Sequence, residues 1–136
     1  MILHRDYIIQ LDYNPATDIL QVDYPDLQSA QLSEVRHSLT LMVEAIRNYD
    51  VKKLLLDASS TSINVSHEES RELTSKLAAD LASTRIKKLA RVQPINLRDE
   101  ARAQENIKDL HKAGLLPYQL QTFATRAEAL NWLTRD

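Results

Sequence analysis

The chain has 136 residues, 43% of them hydrophobic and 26% charged, with a formal net charge of -2. That length suits one domain with a core of its own, and the near-neutral balance gives no strong field toward nucleic acid or an anionic membrane. Cysteine is absent, which excludes disulfides, thiol catalysis and thiolate metal sites, and the single glycine, Gly114, excludes glycine-rich phosphate cradles.

The first residues, Met1-Ile2-Leu3-His4-Arg5-Asp6, carry charges where a signal peptide needs an apolar core. No run approaches the roughly 20 apolar residues of a membrane helix, so a cytoplasmic protein without a transmembrane segment is expected. Residues 7–11 and 19–23 are β-rich runs separated by Asn14-Pro15-Ala16-Thr17-Asp18, whose turn chemistry predicts an antiparallel hairpin. Leu32, Val35, Leu39, Met42, Val43 and Ile46 then recur at helical spacing, predicting a helix over about 31–49.

The apolar run Leu54-Leu55-Leu56 ends in Asp57 and opens into Ala58-Ser59-Ser60-Thr61-Ser62. This is how a buried parallel strand delivers polar groups to the carboxyl edge of a sheet, where α/β folds usually place their sites. A second helix starts at Ser66, which can cap while Glu69 reaches back, and it is predicted to bury Leu73, Leu77 and Leu81. Residues 86–92 form the next strand, stopped by Pro94. A third helix over about 98–113 is predicted to bury Ala103, Ile107 and Leu110 before Gly114 ends it. Residues 118–123 alternate as a last strand, and Thr125 with Glu128 opens a final helix carrying Leu130, Trp132 and Leu133.

The resulting order, β-β-α-β-α-β-α-β-α, predicts one α/β domain over residues 1–136 with a single mixed, mostly parallel sheet and right-handed crossovers. Ile9, Leu11, Leu20, Leu54, Leu56, Leu89, Val92 and Leu120 are its expected sheet core.

That order, the strand ending in Leu56-Asp57, the Ile86-Lys87-Lys88-Leu89-Ala90-Arg91-Val92 strand and the closing Phe123-Ala124-Thr125-Arg126-Ala127-Glu128-Ala129-Leu130-Asn131-Trp132-Leu133 together resemble the SpoIIAA-like group of STAS domains (sulfate transporter and anti-sigma-factor antagonist). The resemblance spans almost the whole chain. It implies a non-enzymatic regulatory or binding domain that acts through a protein partner or a small apolar ligand, with no cofactor. The group's fold also looks like a minimal relative of the Sec14 lipid-transfer core, which makes a lipid-binding module the alternative; an unrecognised enzyme comes third. In the regulatory antagonists a serine after the central strand is phosphorylated, and the matching position here is Ser66. Its flanks, Val65 and His67, depart from that group's motif, and the motif's glycine is absent. Peripheral membrane contact and homo-oligomerisation are both compatible with the resemblance.

The candidate ligand-binding residues are Asp57, Ser59, Ser60 and Ser62 after the central strand, and Gln93 and Asn96 after the next. They form either a polar rim around a ligand or a set of turn-closing groups. Ser66 is either a modified serine or a plain helix cap. His4, His37, His67 and His111 lack zinc-type spacing, so no metal is expected. Ser60, His67 and Asp57 have the composition of a hydrolase triad but no nucleophile elbow. A receiver-type phospho-acceptor reading of Asp57 lacks its lysine after the last strand. Lys52, Lys53, Arg85, Lys87 and Lys88 gather at strand beginnings, either as a basic patch for acidic headgroups or partners or as solvated strand starts.

Overall fold

A computed structural model describes residues 1–135; the last position of the expected domain, residue 136, lies outside the described residues. The strands are β1 (Ile2–Arg5), β2 (Gln10–Asn14), β3 (Ile19–Asp23), β4 (Leu27–Gln28), β5 (Lys53–Asp57), β6 (Ile63–Asn64), β7 (Lys88–Val92) and β8 (Gln119–Phe123). The helices are α1 (Leu32–Asn48), α2 (His67–Ala82), α3 (Leu97–Lys112) and α4 (Arg126–Thr134). Six strands form one sheet in the order β1-β2-β3-β5-β7-β8. The first two pairings are antiparallel and the remaining three parallel, so the fold is α/β with a mixed, mostly parallel sheet.

Side-chain alternation explains how helices cover both faces. Leu54 and Leu56 join the larger core with Leu20, Val22 and Leu89, beneath α1 and α2. Leu55 points the other way and packs with Ile19, Ala90 and Val92 against Ala129, Trp132 and Leu133 of α4. β2 tells the opposite story. Leu11 and Tyr13 are buried while Gln10, Asp12 and Asn14 are exposed, because no helix covers that part of the second face.

The expected first strand is displaced. Residues 7–9 lie in a turn, and the paired strand is β2, shifted toward Asn14. Asp6 causes this: its carboxylate accepts the backbone N–H groups of Ile8 at 2.7 Å and Ile9 at 2.8 Å, closing a tight turn. Ile9 is buried as expected, but in that turn and not in the sheet. The chain before it forms the edge strand β1, and a second, two-stranded sheet joins β4 to β6 in parallel. Neither was expected; His4 and Arg5 disguise the edge strand, and two-residue strands have no readable period.

Three residues expected in the core are only half-buried: Leu77 on α2, Ala103 on α3 and Leu120 on β8. All three line one cavity. No helix among the described residues is long and apolar enough to cross a membrane.

Candidate functional site

The cavity lies between α2, α3 and the β5, β7 and β8 part of the sheet, and its volume is about 110 Å³. Leu56 and Leu89 floor it, Leu77 and Leu81 wall it from α2, and Ile107 and Leu110 wall it from α3. Tyr24 after β3 and Leu27 of β4 close one side, with Ala58 and Thr61 after β5 and Ile63 of β6. Its lining runs from Leu89 and Leu120 near the starts of their strands to Ala58, Thr61 and Pro94 just beyond the carboxyl ends of β5 and β7.

Several polar groups enter this apolar space. Arg91 on β7 faces it beside Leu89, but its charge is matched: Nη2 donates to Glu100 at 3.0 Å and Nη1 donates to Thr122 Oγ1 at 2.9 Å. Gln104 braces the same pair, donating to Glu100 at 2.6 Å and to Thr122 at 3.1 Å. Asn106 and Ser70, only 4% and 8% exposed, line the cavity with no hydrogen bond from either side chain to another described residue. Burial in the cavity wall pushes the Tyr24 phenol up to about 12, with the Arg91 charge pulling the other way. Asp99 and Arg102, both half-exposed, stand at the mouth.

The six candidate residues read from the sequence stand near this mouth, and none of their side chains lines the cavity. Asp57 instead accepts Ser59 N–H at 2.9 Å and Arg126 Nε at 2.9 Å. Burial would raise its carboxyl, but the hydrogen bonds from Ser59 and the Arg126 guanidinium outweigh this and hold it below the usual carboxylate range. Arg126 also donates to Asp23, the register partner of Asp57 across β3 and β5. Asn96 caps α3, accepting the N–H groups of Arg98 at 2.9 Å and Asp99 at 3.2 Å. Ser62 accepts from Asn64 at 3.4 Å, and Gln93 N–H donates to Phe123 O at 3.0 Å. Asp57 thus ties β5 to the last helix, Asn96 caps α3, and Gln93 extends the backbone pairing of β7 with β8.

Ser66 caps α2 in a complete capping box: its Oγ accepts Glu69 N–H at 3.0 Å and the Glu69 carboxylate accepts Ser66 N–H at 3.0 Å. Ser60 and His67 make no hydrogen bond to Asp57, so the three do not form a relay. Among the described residues no cluster of histidine and carboxylate side chains is arranged to hold a metal. The basic strand starts are largely satisfied. Lys52 pairs with Asp18 at 3.4 Å and Asp50 at 3.5 Å, and Arg85 with Asp50 at 3.6 Å. Lys88 donates to the carbonyls of Trp132 and Arg135 and sits 4.9 Å from the Trp132 ring centre.

The sequence reading missed Asn106 and Arg126. Asn106 occupies the apolar face of α3 one residue before Ile107, and a polar side chain on a core-facing stripe is the signal that would have found it. Comparison with protein-family models, curated proteins and solved structures gave no match.

Proposed function

We propose that the chain is a non-enzymatic domain of the SpoIIAA-like, STAS type that holds a small apolar ligand in the cavity between α2, α3 and the sheet. The observation that carries this reading is the cavity itself: about 110 Å³ of mostly apolar space reaching the carboxyl edge of a parallel sheet. A core assembled for stability alone would close it, since each unfilled methyl-sized void costs about 1 kcal/mol. A cavity of roughly 150 Å³ in an engineered core admits benzene, so the ligand, or the part of it that enters, is about one ring or a short branched chain.

Native mass spectrometry of protein purified from its own host tests the reading, beside the variant Ala103→Phe, which fills the cavity from α3. A small ligand retained by the wild type and lost from a folded Ala103→Phe protein is the expected result. A wild type that carries nothing and responds to no small apolar probe in amide spectra would refute it.

One observation favours a second reading, a lipid-binding module. Ile95 and Leu97, 85% and 79% exposed, flank the helix cap Asn96 beside the cavity wall formed by Pro94. Large aliphatic side chains at a pocket mouth suit shallow contact with a bilayer. Co-sedimentation with neutral and anionic vesicles, lost on Ile95→Asp with Leu97→Asp, is what that reading predicts.

A further inference from the structure

From the amide of Asn106, which has no hydrogen-bond partner among the described residues, we infer that the cavity takes an uncharged ligand carrying a hydrogen-bond donor beside an acceptor, such as a lactam, a primary amide or a protonated carboxylic acid, on a small apolar body. The inference rests on the reading of the cavity as a ligand site and names the ligand's chemical class.

Asn106 is 4% exposed on α3, next in sequence to the core residue Ile107, and its side chain lines the cavity. No buried side-chain nitrogen or oxygen fully shut off from space lacks a partner among the described residues. The Asn106 amide, which no described residue pairs, is therefore not wholly shut off from space, and the residue lines the cavity. A carboxamide presents an N–H donor and a C=O acceptor on one edge, and leaving both without partners beside apolar walls is costly. The group that satisfies both at once is another cis-amide edge or a neutral carboxyl. Ser70 on α2, 8% exposed and also without a side-chain hydrogen bond, adds a hydroxyl that donates or accepts in the same space.

Charge on the ligand is disfavoured deep in the cavity. The one guanidinium facing it from the sheet, Arg91, is already matched by Glu100 at 3.0 Å. A ligand carboxylate would have to compete with Glu100 for Arg91 or remain unpaired in an apolar enclosure. Arg102 and Asp99 at the mouth carry opposite charges and so select neither sign.

The test uses 2-pyridone, a lactam, against toluene, an apolar ring of similar size, each titrated into the full ¹⁵N-labelled chain at pH 7. The Asn106 side-chain NH₂ resonance is followed directly. The expected result is 2-pyridone binding tighter by on the order of tenfold, with a downfield shift of that NH₂ pair. In Asn106→Leu the preference should fall to parity or reverse in favour of toluene. Asn106→Ala serves the same comparison if the leucine variant does not fold. Toluene binding as tightly as 2-pyridone in the wild type would overturn the inference while leaving a ligand cavity intact, with water alone on Asn106. An unchanged preference in both variants would overturn it too. Binding of neither probe, with no shift at cavity-lining residues, would sink the ligand cavity and the inference together.

Discussion

Arg126 at the start of α4 donates its Nε–H to the Asp57 carboxylate at the end of β5, 2.9 Å away and 69 residues earlier. The bond fastens the last helix to the carboxyl edge of the central strand, and the second donor on the same guanidinium reaches Asp23 on β3. Two aspartates in register on adjacent parallel strands are thus held by one cation. Asp57, one of the candidate rim residues, is a fastening point between two secondary-structure layers.

Removing that cation should cost stability. In Arg126→Met the Asp57 carboxylate, only 11% exposed, keeps its burial and loses its countercharge. We expect a loss of about 2 kcal/mol, below the 3–5 kcal/mol of a fully buried pair because Asp23 is largely solvated. Urea denaturation checks this through the midpoint at constant slope. The pH dependence follows from the sign of the shift. Asp57 is depressed when folded, so its contribution is present above the ordinary carboxylate range and is lost as pH falls through the depressed value. The gap between wild type and variant should therefore narrow on acidification; a gap independent of pH would contradict the role given to Arg126.

Ser66→Ala should cost about 1 kcal/mol, since it removes the acceptor for Glu69 N–H in the capping box. Ser66→Asp retains a good cap and adds a negative charge at a helix N-terminus, so it should keep most of the stability. Thermal unfolding of the two variants separates these effects. A pull-down with the same pair tests Ser66, whose position the resemblance matches to a phosphorylated serine: partner binding should be unchanged in the alanine variant, and a partner bound by wild type and alanine but lost with aspartate alone would instead mark Ser66 as a regulatory switch.

The strands and helices were legible wherever a period persists over several turns or residues. Leu32, Val35, Leu39, Met42, Val43 and Ile46 are all buried on α1, and Leu54-Leu55-Leu56 is buried on both faces. What escaped the sequence was set by groups far apart in the chain. Leu77, Ala103 and Leu120 carry the core pattern but surround a cavity, because periodicity shows which side faces inward and not whether the inward space is filled. Asp57 and Asn96 were rightly placed at one edge. Their partners, Arg126 and the α3 backbone, depend on how the last helix docks and on where the third begins.

Asp6 should dominate the acid response of the N-terminal turn. Burial would raise its carboxyl, but hydrogen bonds from His4, the Ile9 and Ile8 backbone and Ser38 outweigh it and lower it to about 2. A depressed carboxylate stabilises the fold above its ordinary range and loses that contribution as pH falls toward 2. Asp6→Asn should therefore be less stable than wild type at pH 7, with the difference shrinking as pH drops from about 4 toward 2. Denaturation at several pH values gives the comparison, and an undiminished difference in acid would speak against the turn-closing carboxylate.

Asn106→Leu should raise stability by about 1 kcal/mol in the absence of ligand, which is unusual for a substitution at a buried position. Asn106 is 4% exposed and its amide has no hydrogen-bond partner among the described residues, so folding removes most of its water and returns little. Leucine is similar in length, removes that desolvation cost and fills part of the cavity flanked by Leu77 and Ile107. A polar residue kept at the expense of stability beside Ile107 and Leu110 in a cavity wall is what a binding site predicts and a purely structural core does not. Thermal and urea unfolding of the ligand-free proteins are the measurements. A leucine variant clearly less stable than wild type would mean that Asn106 has an ordered partner in solution, such as a bound water, and that its amide is structural.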